Sequence, residues 1–205
     1  MDLIAHVEPI IRLADGRITA RELLSRPYPS GSLDGVVGPP ATMRAITEFA
    51  LHGAGVLLEG SPLPLHVNIT PGDLAELDLP ARIDALVDER CRPNLVLEVT
   101  EHSELLPSSA MERNLQELRR RRIRIAVDDF GDGWADERSV AYLRPEVVKV
   151  RLANLARPGL AARLRRVAAE HRAQVVVEKV ETAVDLTTAR ASGFAFGQGW
   201  FWDGC

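Results

Sequence analysis

Short apolar runs recur along this chain, and nearly every one ends on an oxygen-bearing or cationic side chain. Leu65-His66-Val67 leads to Asn68, Leu95-Val96-Leu97 to Glu98, and Val175-Val176-Val177 to Glu178. Ile123, Ile125, Ala126 and Val127 lead to Asp128-Asp129, and Val147-Val148 leads to Lys149. An earlier run, Ile18 to Glu22, again carries its acid late. Runs of this length, bounded by turn residues, predict strands buried on at least one face. Parallel barrels set catalytic groups at the C-terminal ends of several strands, and such a site leaves this pattern in a sequence.

The segments between the runs complete the alternation. Val7–Leu13 and Arg17–Leu24 predict two strands joined by a hairpin turn at Ala14-Asp15-Gly16. Residues 27–40 are rich in Pro and Gly and predict a loop, after which Met43, Ile46, Phe49 and Ala50 fall at helical spacing. Thr70-Pro71 is a helix start, with Pro in the first turn where no amide is needed. Strand 95–100 then precedes a helix over 108–121, and strand 123–128 a short helix over 136–143. Strand 146–150 precedes an amphipathic helix from Leu160 to His171. Strand 174–178 precedes a helix over 183–191, and Phe194-Ala195-Phe196 predicts a last strand. Alternating βα units imply a parallel sheet, most simply a barrel. No linker interrupts residues 1–205, so one domain is expected.

Composition narrows the partners. A chain of 205 residues with 46% hydrophobic and 26% charged side chains is an ordinary globular domain with a substantial core. Net charge −4 argues against binding a DNA or RNA duplex, which calls for a basic face. The arginines at 119–122 and at 163, 165 and 166 share their helices with Leu115, Leu118, Leu164 and Val167, so they read as solvated outer faces. Two cysteines, Cys91 and Cys205, are too few for a disulfide framework, and a reduced, cytoplasmic setting is expected. No apolar stretch reaches the length of a membrane span, so no membrane contact by this chain is expected. None of the five histidines has metal-motif spacing, and His66 is taken as structural. Trp134, Trp200 and Trp202 are taken as packing or interface residues.

Asp128-Asp129 alone reads equally well as a metal site or as a solvated turn, because two buried adjacent carboxylates need a cation or hydrogen bonds. Its company decides. Glu22-Leu23-Leu24 with Arg26, Asn68, Leu97-Glu98-Val99-Thr100-Glu101, Asp128-Asp129-Phe130-Gly131, Lys149, Glu178 with Glu181, and Gln198-Gly199 follow one another in order. Together they resemble the EAL family of cyclic-di-GMP phosphodiesterases, over about residues 5–202. The resemblance implies a modified TIM-type α/β barrel with one antiparallel strand near the N-terminus. It further implies hydrolysis of cyclic di-GMP to linear pGpG with Mg²⁺ or Mn²⁺, as two ions, and a homodimer.

By the same resemblance Glu22, Asn68, Glu98 and Asp128 hold one metal, and Asp128 bridges to a second held with Asp129 and Glu178. These are the hard oxygen donors such ions take. Two ions roughly 3.5–4 Å apart stabilise an in-line displacement. Lys149 orients the water or neutralises transition-state charge, and Glu178 is the candidate proton acceptor. Arg26 clamps a phosphate or a guanine edge, its planar fork suiting either, and Gln198 lines the same mouth. Glu98 and Glu101 are three apart and face opposite sides of a continuing strand, so Glu101 is given a supporting role at the Asp-Asp loop. Glu181 is given a supporting role too.

Several positions depart from the family. Gly131-Asp132-Gly133-Trp134-Ala135-Asp136 replaces Gly-Thr-Gly-Tyr-Ser-Ser, adding the Asp132 charge beside the metal acids. Arg151 replaces the acid of Lys-Ile-Asp and shares strand parity with Lys149, so it is expected to point the same way and repel a metal. Lys179 replaces the glycine of Glu-Gly-Val-Glu, Glu8 replaces a glutamine before Pro9, and the stretch from Pro40 to Asn68 is short. The leading reading is a phosphodiesterase, slowed by Asp132, Arg151 and Lys179. The alternative is a catalytically silent module that binds cyclic di-GMP or a partner protein; a different barrel phosphoesterase ranks third.

Overall fold

Eight strands close into a single barrel in chain order, and α-helices lie between most of them. The computed structural model describes residues 2–27, 40–101 and 103–202. The predicted Pro/Gly-rich loop, apart from its two end residues, and Cys205 lie outside the described residues. Strand β1 (Leu3–Arg12) runs antiparallel to both β2 (Ile18–Pro27) and β8 (Phe196–Gly197), and all other neighbours are parallel. The expected α/β barrel with one antiparallel strand is therefore what the chain forms. The β1–β2 turn is held by Arg12 on Asp15, and Gly16 takes the left-handed φ of +73° that the turn requires.

The parallel strands are β3 (Leu65–Ile69), β4 (Leu95–Val99), β5 (Arg124–Val127), β6 (Val147–Arg151) and β7 (Gln174–Glu178). They are short and β-branched, as buried parallel strands are. The helices are α1 (Pro40–Glu59), α2 (Pro71–Ala75), α3 (Leu79–Leu86), α4 (Ser109–Arg120), α5 (Glu137–Leu143), α6 (Leu160–His171) and α7 (Ala183–Ala191). The sequence reading lacked α3, and it placed the last strand one to two residues early. Capping fixes where several helices begin. Thr70 and Asp73 form a reciprocal box at α2, Asp136 and Ser139 another at α5, and Thr182 and Asp185 a third at α7. Each cap satisfies amides that would otherwise be orphaned, about 1 kcal/mol apiece.

Two apolar layers result. Between barrel and helices lie residues such as Leu65, Val67, Leu97, Leu115, Leu118, Val148 and Leu164. Inside the barrel lies a smaller cluster of Ile10, Ala20, Val96, Ala126, Val147 and Val176, with Phe196 packed on it. The arginines of α4 and α6 face away from both layers, as expected. Arg119, Arg120, Arg163, Arg165 and Arg166 are exposed, while Leu115, Leu118, Leu164 and Val167 are buried.

Strand parity turns the inner cluster into a floor. Residues two apart on a strand face the same side. Ala20 therefore aligns Glu22, Val96 aligns Glu98, Ala126 aligns Asp128, and Val176 aligns Glu178. Val147 aligns both Lys149 and Arg151, and on the antiparallel β1 Ile10 aligns Glu8. An apolar floor thus carries a charged layer at the C-terminal mouth.

Candidate active site

Lys149 is the centre of that layer. Its Nζ lies 2.9 Å from Glu22 Oε2, 2.7 Å from Glu98 Oε1 and 2.7 Å from Glu178 Oε1, and its side chain is only 1% exposed. Burial alone would lower the ammonium's pKa, but Glu178, Glu22 and Glu98 together hold it well above its ordinary value. Lys149 is a fixed cation.

One cation does not neutralise the acids around it. Burial opposes ionisation of Glu22, yet Lys149 pulls its pKa down to about 2. Burial and then the Glu22 charge push Glu98 up to about 8. Burial pushes Glu178 up to about 7 in spite of Lys149, with Glu98 adding to the rise. Asp128 is raised well above the usual carboxylate range by burial, then by Glu178 and Glu98. Glu22, Glu98 and Glu178 each offer an oxygen within 4.8 Å of the others. Asn68 stands beside them, its Nδ2 donating to Glu22 Oε1 at 2.8 Å. Its Oδ1 is buried with no hydrogen-bond partner among the described residues. Uncompensated acids and an orphaned amide oxygen are what a hard divalent cation would satisfy. Glu22, Glu98 and Glu178 lie close enough to one another to fit that group, with Asn68 beside them and Asp128 within electrostatic reach of Glu178 and Glu98.

A second acid cluster sits outward of the first. Glu101, Asp128 and Asp129 have oxygens within 4.8 Å of one another. Here the parity argument for Glu101 lapses, because β4 ends at Val99 and the chain turns towards the Asp-Asp loop. The Thr100 amide still donates to Ile69 O at 3.0 Å, and the departure from extended chain follows it. Asp129, at a left-handed φ of +47°, is buried, and its backbone amide donates to Asp128 Oδ1 at 2.9 Å. Arg151 forks onto Asp129: Nε donates to Oδ1 at 2.8 Å and Nη2 donates to Oδ2. The same guanidinium lies 3.8 Å from Glu101 and 3.8 Å from Asp132. Arg151 does point with Lys149, as expected, but it engages a carboxylate that was assigned to metal. Each Asp129 oxygen accepts one N–H, so a second ion on Asp129 would have to share the carboxylate with the guanidinium.

Asp132 is neutralised rather than free to repel a ligand. Arg157 Nη2 lies 2.8 Å from its Oδ1, and Asn154 Nδ2 donates to its Oδ2 at 2.7 Å. These partners hold its pKa low despite partial burial. Arg157 also donates to Gly131 O at 2.8 Å, so the loop after the acids is tied to the segment after β6.

The remaining site residues line a cleft of about 670 Å³ over this layer. Arg26, Lys179, Glu181 and Trp200 stand around it, with Leu24, Met43 and Ile46 as apolar wall. Gln198 is buried and donates to Glu8 at 2.7 Å and to Glu22 at 2.5 Å, so it braces these acids as well as lining the cleft. Glu181 is exposed at the rim, and its backbone amide donates to Asp185. Trp200 is 58% exposed at the cleft, whereas Trp202 is buried as packing. Lys179 keeps a left-handed φ of +57° where the family has glycine. Gly199 cannot be replaced as easily, since a Cβ there would lie 2.4 Å from Val180 O.

His66, expected to be structural, reaches into this layer. Its Nδ1 is 2.9 Å from Glu98 Oε2, and burial followed by the Lys149 charge lowers its pKa to about 3, so the ring is neutral. The signal was available: His66 is two residues before Asn68 and shares its face.

The EAL domain family matches residues 2–203. The chain belongs to this family. A curated signalling protein of Caulobacter vibrioides, itself uncharacterised, is 29% identical over 145 residues, covering 65% of this chain and 18% of its own length. The probable cyclic di-GMP phosphodiesterase PdeI of Escherichia coli is 30% identical over 88 residues, covering 42% of this chain and 11% of its own length. This EAL chain thus spans under a fifth of each curated relative. Among solved structures, Klebsiella pneumoniae BlrP1 in a calcium and cyclic di-GMP complex has a TM-score of 0.80 at 21% identity, covering 98% of this chain and 55% of that one. The PaMucR phosphodiesterase in its cyclic di-GMP complex has a TM-score of 0.80 at 19% identity, covering 98% and 95%. These likenesses establish the EAL barrel. Among the described residues, no helix is long and apolar enough to cross a membrane.

Proposed function

We propose that this EAL domain binds cyclic di-GMP in the cleft and hydrolyses one of its phosphodiester bonds to give linear pGpG. One observation carries the reading: the buried Lys149 cluster with its surplus of acids and the orphaned Asn68 oxygen lies beneath a cleft large enough for a nucleotide. Family membership and the cyclic di-GMP complexes of structurally similar proteins support the choice of substrate. When bound, a divalent cation such as Mg²⁺ or Mn²⁺ supplies positive charge beside a phosphate and acidifies water. Glu22, Asn68, Glu98 and Asp128 would hold it.

The chain's own groups do the rest. Lys149 sets a permanent positive charge against the phosphate side of the layer. Glu178, with a pKa of about 7, is matched to accept the proton of the attacking water near neutral pH. Water oxygen bonds to phosphorus, the bond from phosphorus to the ribose oxygen breaks, and that oxygen leaves as a hydroxyl after taking a proton. Arg26 at the cleft wall is placed to hold a phosphate or guanine edge, and Glu101 and Glu181 act in support.

A second reading, a domain that binds cyclic di-GMP without cutting it, is favoured by the Arg151 fork on Asp129. Chromatography after incubation with cyclic di-GMP and Mn²⁺ separates the two. The hydrolase reading expects pGpG from the wild type and none from Glu22→Ala. Intact nucleotide that still binds the wild type would sink it in favour of the receptor.

A further inference from the structure

Two basic side chains leave one strand, two residues apart, and each enters an acid cluster of its own. Lys149 enters Glu22, Glu98 and Glu178; Arg151 reaches Asp129 and the flanking Glu101. We propose that the Arg151 guanidinium is a built-in replacement for a second divalent cation, so that the domain holds one metal ion per chain and not two. The proposal deepens the functional reading and rests on its assignment of one ion to Glu22, Asn68, Glu98 and Asp128.

Geometry carries it. Asp129 presents its carboxylate to a planar fork, and each of its oxygens accepts one N–H. A carboxylate so engaged keeps one lone pair on each oxygen, but its charge is already met by the guanidinium and only the directions away from the fork remain for a metal. An ion entering among Glu101, Asp128 and Asp129 must either sit beside the guanidinium, a like charge, or displace it. Asp132, 3.8 Å from the same guanidinium, helps to keep it there, and Arg157 and Asn154 in turn hold Asp132. The inner cluster differs in kind. Asn68 Oδ1 is still unspent there, and Asp128 accepts only its neighbour's backbone amide among the hydrogen bonds described.

The test counts ions directly and does not depend on turnover. Mn²⁺ is titrated into the whole chain, with cyclic di-GMP present, by calorimetry and by electron paramagnetic resonance. The wild type is expected to bind one Mn²⁺ with the spectrum of an isolated ion. Arg151→Asp is expected to bind two and to show the spectrum of an exchange-coupled pair. Arg151→Ala removes the fork without adding a ligand and is expected to admit the second ion more weakly. Adding Asp129→Asn to Arg151→Asp is expected to return the count to one. Circular dichroism establishes that each variant is folded, and Arg151→Ala carries the test if the Asp variant is not. Two ions in the wild type, or one ion alike in the wild type, Arg151→Asp and Arg151→Ala, would overturn the proposal. A count of one with no pGpG formed would leave it standing and remove the hydrolase reading alone.

Discussion

The two acid clusters gathered by Lys149 and Arg151 of β6 look alike in composition and differ in depth. Lys149 is 1% exposed and bonded to three carboxylates, while the Arg151 side chain is 43% exposed and forks onto one. Water can share the load on Arg151 but not on Lys149. Depth, more than the number of charges, therefore decides which cluster is locked in place and which can be remodelled. The inner cluster is built into the barrel's parity, with an apolar floor below it and a buried imidazole at its side. The outer one is assembled by a loop, a strand end and an exposed side chain.

That contrast is breakable by stability measurements in the presence of a chelator. Lys149→Met leaves Glu22, Glu98 and Glu178 buried without their cation, and a loss of about 3–5 kcal/mol is expected by urea denaturation. Arg151→Ala, opening a half-exposed pair, is expected to cost no more than about 1 kcal/mol. Equal losses would erase the distinction between the clusters.

The pH dependence sharpens it further. Glu98 and Glu178 have folded pKa values of about 8 and about 7, against 4.5 for an unperturbed glutamate. At these two groups the folded chain holds more protons than the unfolded chain, and above pH 6.5, where neutral His66 no longer acts in the opposite direction, metal-free stability is expected to fall as pH rises to about 8. Glu22 acts in the other direction and in another window. Its pKa of about 2 gives stability above pH 4.5 that is lost as pH falls towards 2. Glu98→Gln is expected to remove most of the decline on the alkaline side. A metal-free protein whose stability rises between pH 6.5 and 8 would contradict the charge account of the inner cluster.

The smallest expected effect lies at the rim. Lys179 holds a left-handed conformation that disfavours a side chain, and Lys179→Gly is expected to stabilise the domain by about 1 kcal/mol. Thermal unfolding reads this directly, and destabilisation would mean that the lysine makes a compensating contact.

The barrel and its inner cluster were legible because both follow from two-residue periodicity. Glu22, Asn68, Glu98, Asp128, Lys149 and Glu178 each close an apolar run, and the same parity that buries the run turns them to one mouth. Parity also fixed the direction of Arg151. It could not reveal the partner, because the fork on Asp129 joins residues 22 apart through a loop whose course depends on Arg157 and Asn154. Parity does not govern Glu101, which lies past Val99 where the strand has stopped, and it stands with Asp128 and Asp129 at the Asp-Asp loop. Helix α3 was hidden by its brevity, although Pro80 in its first turn marks a helix start and Leu79, Ile83 and Val87 fall on one buried face. His66 was set aside for lack of a histidine motif, when its position two residues before Asn68 was the informative fact.

The most direct measurement is a crystal structure with Mn²⁺ and cyclic di-GMP, using the manganese anomalous signal. The account predicts one peak per chain, beside Glu22, Asn68, Glu98 and Asp128, with Arg151 still on Asp129. A second peak on Asp129, with Arg151 turned away, would contradict it.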